Sequence, residues 1–159
     1  MCKRWSKLQK ELYLIITPTI NFQIHCATYR IGQYGNYIPR FWVTLGKEII
    51  FDYPKQFVSS GQIMKYHIPE TNYENIYYPY ENVHHICGVS DISDLIREYI
   101  DTPASEILTK HFECDRWGLT DIFRAADRRI GQRRLGLLQQ ATKNQAVQKI
   151  LALRIKNSN

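Results

Sequence analysis

Trp5, Leu8, Leu12 and Ile15 or Ile16 recur at helical spacing, while Lys3, Arg4, Lys7, Lys10 and Glu11 take the other side. The pattern predicts an amphipathic opening helix that closes before Pro18. From Asn21 the period changes to two, with Phe22, Ile24, Cys26 and Thr28 on one face and Gln23, His25, Ala27 and Tyr29 on the other. A loop from Gly32 to Pro39 leads into a strand from Arg40 to Leu45, and Gly46-Lys47 turns the chain into a third strand, Glu48 to Tyr53. Glycine suits the first position of a type II′ hairpin turn. A two-residue turn sets Val43 opposite Ile50 and Trp42 opposite Phe51, so both faces of this antiparallel meander carry apolar weight and helices should cover at least one.

Residues 55–89 follow neither period, yet they hold Tyr66, Tyr73, Tyr77, Tyr78 and Tyr80 among acids and prolines. Tyrosines at that density can bury area, which predicts a long ordered loop with at most a short strand. Helical spacing returns at Ile92, Leu95, Ile96, Tyr99 and Ile100, with Ser90 as the cap. Thr102-Pro103 should end this helix and begin a second one running to Gly118, because proline is comfortable at the first helical position. Thr120 then caps a third helix to Ile130, Gly131 marks a turn, and two more helices follow near 132–142 and 145–156 with Asn144 as the cap between them. The fold class is α+β. The reading is one domain over 1–159, with an α+β part at 1–117 and an all-helical, basic C-terminal subdomain at 118–159.

A chain of 159 residues should bury about 70% of its unfolded surface, enough for a core without disulfide or metal staples. The longest early apolar run, Leu12 to Ile16, falls far short of the roughly 20 residues of a membrane span, and no cleavage site follows it. Cys2, Cys26, Cys87 and Cys114 are scattered, with no Cys-x-x-Cys pair, and read as reduced thiols. A cytoplasmic protein that does not engage membranes is the expectation.

Charge alters this plain picture, because it comes in blocks. Residues 1–65 hold nine Lys/Arg against three Asp/Glu, residues 66–109 one against eight, residues 110–117 two against two, and residues 118–159 nine against two. Such blocks mark where polyanions could bind, and equally how the chain could satisfy its own charges. Arg124, Arg128, Arg129, Arg133 and Arg134 lie within eleven residues. Leu119, Ile122, Phe123, Ala126 and Ile130 would form the apolar stripe of the third helix, leaving Arg124 and Arg128 on the solvated face. Arg133 and Lys143 fall on the polar side of the next segment, whereas Arg134 and Arg154 fall on core-facing stripes and should be structural. The leading functional expectation is a non-catalytic protein that meets nucleic acid through Arg124, Arg128, Arg129, Arg133 and Lys143. Six phosphate contacts would give a log–log salt slope of about −5. The competing expectation is that the acidic block docks on these cations. Trp42 and Tyr29 could stack bases on an exposed sheet face, although aromatic strand residues more commonly belong to cores.

A second functional expectation is a protein-interaction module, a homodimer or an inhibitor or immunity-type partner, using the Tyr-rich acidic loop at 66–85 with Tyr73, Tyr77, Tyr78 and Tyr80. His84-x-x-Cys87 and His111-x-x-Cys114 could supply four tetrahedral zinc ligands, but the usual Cys-x-x-Cys knuckle is absent, so no metal and no cofactor is assigned. Glu48 and Asp52 share a strand face about 13 Å apart, too wide for a two-carboxylate hydrolytic site. No P-loop, Gly-x-Gly-x-x-Gly, Gly-x-Ser-x-Gly or His-Glu-x-x-His occurs, and although an enzyme of unidentified class stays an alternative, the sequence nominates no reaction.

The segment from Arg4 to Lys10, the hairpin from Leu45 to Pro54, the run from Trp117 to Ile122 and the run from Ala125 to Gly131 together resemble a family of small uncharacterised bacterial proteins. The similar segments span most of the chain except 55–89. The resemblance implies no activity, cofactor or catalytic residue.

Overall fold

In the computed structural model, residues 5–31, 36–53, 89–113, 115 and 118–157 are described. The opening helix, α1 (Trp5–Ile15), buries Leu8 and Leu12, and Pro18–Ile20 form a single 3-10 turn behind it. Asn21 then adopts a left-handed φ of 48° and its carbonyl accepts the Gly46 N–H at 2.9 Å, tying the start of the sheet to the hairpin turn. Three antiparallel strands follow, β1 (Phe22–Ile31), β2 (Asn36–Leu45) and β3 (Glu48–Tyr53), in the order β1-β2-β3. Gly46 takes φ +60° and Lys47 does not take a positive φ, the signature of the expected type II′ turn.

The sheet departs from expectation in two places. Asn36 to Pro39, expected as loop, belong to β2, and Thr28 pairs with Pro39. Proline is admissible there because Ile24 turns its N–H and C=O away from β2, so the alternate residues Cys26 and Thr28 do the same. Pro39, opposite Thr28, therefore has its nitrogen on the β3 side, and β3 pairing stops at Phe41. A bulge between Val43 and Thr44 also shifts the hairpin register, so Val43 faces Phe51 rather than Ile50 and Trp42 faces Asp52 rather than Phe51.

One sheet face carries the core. Phe22, Ile24, Phe41, Val43 and Leu45 are buried on it, with Trp5 of α1 6.3 Å from Phe41 and Phe123 6.5 Å from Phe22. On the other face the half-buried Trp42 stacks on His25 at 4.9 Å, and His25 Nε2 lies 3.0 Å from Thr44 Oγ1. The remaining helices are α2 (Val89–Asp101), α3 (Leu119–Ala126), α4 (Gln132–Ala141) and α5 (Gln145–Asn157). Residues from α2, α3, α4 and α5 join α1 and the sheet in a shared core, giving an α+β fold. No helix among the described residues is long and apolar enough to cross a membrane.

The helical half corrects the expectation at four points, the first being that α2 already begins at Val89, which puts Ser90, expected as its cap, inside the first turn. The helix expected from Pro103 to Gly118 is instead a run of hydrogen-bonded turns from Ala104 to Thr109. The third helix stops at Ala126, four residues early, because Asp127 turns extended at ψ 118° and bridges to Ile16, with the Thr17 N–H donating to the Ala126 carbonyl and the Arg128 N–H to the Ile15 carbonyl, both at 2.8 Å. Its cap is Asp115 rather than Thr120, since Asp115 accepts the N–H groups of Leu119 and Thr120 at 3.1 and 2.8 Å and the Thr120 hydroxyl at 2.5 Å. Asn144 does cap α5, its Oδ1 accepting the Ala146 N–H at 2.9 Å.

Candidate polyanion-binding surface

The five cations singled out in the sequence divide once the chain has folded. Arg124 is drawn inward, with its side chain 14% exposed. It donates from Nε to the Ile107 carbonyl at 2.8 Å, from one terminal nitrogen to the Lys110 carbonyl at 2.6 Å, and from the other to Asp121 at 2.8 Å. Its guanidinium carbon also sits 5.4 Å from the centre of the buried Phe112 ring. The expected solvated position for Arg124 is therefore wrong, because the turn segment beside α3 offers carbonyls that water would otherwise have to satisfy.

Arg129 is held in the same way. It grips Asp127, which is wholly buried, through Nε and a terminal nitrogen at 2.8–3.1 Å, and donates from its other terminal nitrogen to the Thr102 carbonyl at 3.0 Å. The buried Tyr99 of α2 donates its hydroxyl to the same carboxylate at 2.8 Å. Burial, followed by the neighbouring Asp127 charge and its hydrogen bond, pushes the Tyr99 phenol well above its ordinary range. Burial opposes the charge on Arg129, and the hydrogen bond and charge of Asp127 more than offset it, so its pKa is raised.

Arg134 and Arg154 are structural, as their places on core-facing stripes suggested. Arg134 donates to the Ala104 carbonyl at 3.0 Å, and the buried Arg154 donates to the carbonyls of Ala125, Asp127 and Ile130 at 2.8–3.0 Å. Desolvation lowers the Arg154 pKa, though a guanidinium keeps its proton. Three arginines, Arg124, Arg129 and Arg134, thus hold four carbonyls of the turn segment, those of Thr102, Ala104, Ile107 and Lys110. The acidic block does not dock on them among the described residues. Its Glu98 pairs with Lys110 at 3.1 Å, and its Arg97 joins Asp101 and, across to α1, Glu11.

Arg128, Arg133 and Lys143 remain exposed. Among the described residues, no carboxylate lies within ion-pairing distance of any of the three. Arg128 follows the Asp127 bridge, Arg133 is in the first turn of α4, and Lys143 is in the link between α4 and α5. From Arg128 to Asn157 the sequence holds no Asp or Glu. This leaves a surface on the helical hairpin whose formal charges are all positive, apart from the pairing of Lys149 with Glu48 across to β3.

The other candidates contribute less. Tyr73, Tyr77, Tyr78 and Tyr80 lie outside the described residues, as do His84, Cys87 and Cys114, and His111 is exposed. Cys26 is a half-buried thiol whose pKa desolvation raises to about 11, which makes it a poor nucleophile at neutral pH. The residues that sequence reasoning missed are Asp127 and Tyr99 as a buried polar pair. Arg154 on an apolar stripe was the available signal, because a core-facing guanidinium implies buried acceptors nearby.

Asp127, Arg129 and the carbonyls that Arg154 takes fall in or beside the run from Ala125 to Gly131, and the model of the SF0329 protein family matches residues 4–155. The chain belongs to the SF0329 protein family. Neither the curated proteins nor the solved structures searched include a match. Within an SF0329 chain, the Ala125–Gly131 run now has a physical reading as the junction that joins α1, α2, α3 and α5.

Proposed function

We propose that this protein is a non-catalytic binding protein that contacts nucleic acid through Arg128, Arg133 and Lys143. The observation that carries this reading is the 30-residue stretch from Arg128 to Asn157, which contains no carboxylate and presents these three cations exposed and without acidic partners among the described residues. Cations so placed attract phosphates by charge and counterion release, whatever the base sequence. Arg124 and Arg129, both expected as contacts, are excluded from this role because their donors are already used inside the fold. The setting we propose is the bacterial cytosol, where nucleic acid is the abundant polyanion.

The test is fluorescence anisotropy with labelled generic DNA and RNA at two salt concentrations, on the full chain and on the combined Arg128→Ala, Arg133→Ala, Lys143→Ala variant. Binding at low salt that weakens with added salt and disappears in the variant, with unfolding unchanged, supports the reading. Absence of binding at low salt removes it.

A further inference from the structure

The exposed face of α4 carries a feature that nothing inside the fold accounts for. Gly136 sits in the middle of a 10-residue helix, where glycine costs about 1 kcal/mol relative to alanine. Gly46 and Gly118 are accounted for by their positive φ, and Gly131 by its place as the cap before α4. Gly136 has no such backbone requirement, and a Cβ built on it would meet nothing within 4 Å. No packing neighbour demands the missing side chain.

Helical geometry places Gly136, Gln140, Arg133 and Leu137, in that order, on one arc of about 100°, turned away from the buried Leu135. Arg133 and Gln140 are exposed, and Leu137 is 62% exposed, a large apolar residue left in solvent on a helix without acids. We infer that this face is a reading head for duplex DNA, with α4 lying in the major groove; the inference rests on the polyanion reading above and extends it from charge to base recognition. Charge complementarity selects the occupant, since Arg128 and Lys143 flank the helix and no carboxylate intervenes. The three side chains match three kinds of base edge: a guanidinium pairs with guanine, a glutamine amide with adenine, and an aliphatic group packs on the thymine methyl. An α-helix about 10–12 Å across fits a groove about 12 Å wide, and Gly136, midway along α4, lets the helix backbone come close.

The experiment selects sequences from a pool of randomised duplex DNA using the full-length protein, followed by affinities for selected and unselected duplexes. The expected result is an enriched motif. Gly136→Leu should unfold as cooperatively as the parent yet bind the selected duplex at least about tenfold more weakly, and Arg133→Ala should relax preference at one position. Lys143→Ala should weaken selected and unselected duplexes alike. Generic binding without an enriched motif, or equal binding by Gly136→Leu, overturns the α4 assignment and leaves the polyanion reading standing. Preference for duplex RNA or single strands overturns it as well, because the A-form major groove is too deep and narrow for a helix. Loss of all binding overturns both.

Discussion

Asp127 shows how much one side chain can decide. Its carboxylate is wholly buried and accepts from Tyr99, from the Arg129 guanidinium and from the Arg129 N–H at 2.8 Å, while its own carbonyl receives Arg154. Breaking a buried pair leaves a charge without its partner, and Arg129 is partly exposed, so the full cost is softened by solvent. Asp127→Asn should therefore lower unfolding free energy by about 2–4 kcal/mol in urea titration. A loss under about 1 kcal/mol would show that the junction is not held by this carboxylate. Two further side chains set an alkaline limit. Cys26 moves from an ordinary 9.0 to about 11 and Tyr99 moves above 10.0, both because burial disfavours the anion. A raised pKa means the folded state binds the proton more tightly, so this contribution is intact below pH 9 and declines as pH climbs through the folded values. Stability measured at pH 8, 9.5 and 10.5 should fall progressively, with a shallower fall in Cys26→Ala; a profile flat to pH 10.5 contradicts the assignment.

Among the elements, α1 does more than cover the sheet. Gln9 donates its amide to the Ile24 carbonyl at 2.6 Å, and the Ile24 N–H donates to the Tyr13 hydroxyl at 3.0 Å. These are the outward-facing backbone groups of an edge strand, which would otherwise be a template for another strand. Gln9→Ala combined with Tyr13→Phe should cost about 1–3 kcal/mol and promote concentration-dependent association, visible by light scattering. An unchanged scattering signal would mean that other groups guard the edge. The expected helix from Pro103 fails to form for a related reason. Arginine side chains from the C-terminal half take carbonyls along this segment, and Ile107 and Phe112 turn into the core, so the chain follows its partners rather than its helical spacing.

Taken as one body, the fold converts a large formal charge into a small functional one. Nine cations stand against two acids in residues 118–159, yet Arg124, Arg129, Arg134 and Arg154 are committed to carbonyls and buried or neighbouring carboxylates, Lys149 is paired with Glu48, and Lys156 lies apart in the last turn of α5. Only Arg128, Arg133 and Lys143 enter the proposed interface, so the log–log salt slope for generic DNA, where all three meet phosphates, should be about −3, not the −5 that six contacts would give. A slope near −5 in anisotropy titrations would show that cations outside this group take part. Arg124→Ala provides the contrast: it should lower the melting temperature without changing the slope, because its donors serve the turn segment.

Periodicity alone was enough for the opening helix, the three strands, the glycine turn and the two last helices, because each is set by contacts within a few residues and by an alternation that survives any packing. The same holds for the α+β class and for the structural roles of Arg134 and Arg154. What periodicity could not contain was the start of β2 at Asn36, the bulge at Val43, the early stop of α3 at Asp127, the turns after Pro103 and the inward fate of Arg124 and Arg129. The last three depend on a carbonyl or carboxylate brought near by a distant part of the chain. A guanidinium has several donors and a long stem, and whether it reaches solvent or backbone is settled by what folds beside it.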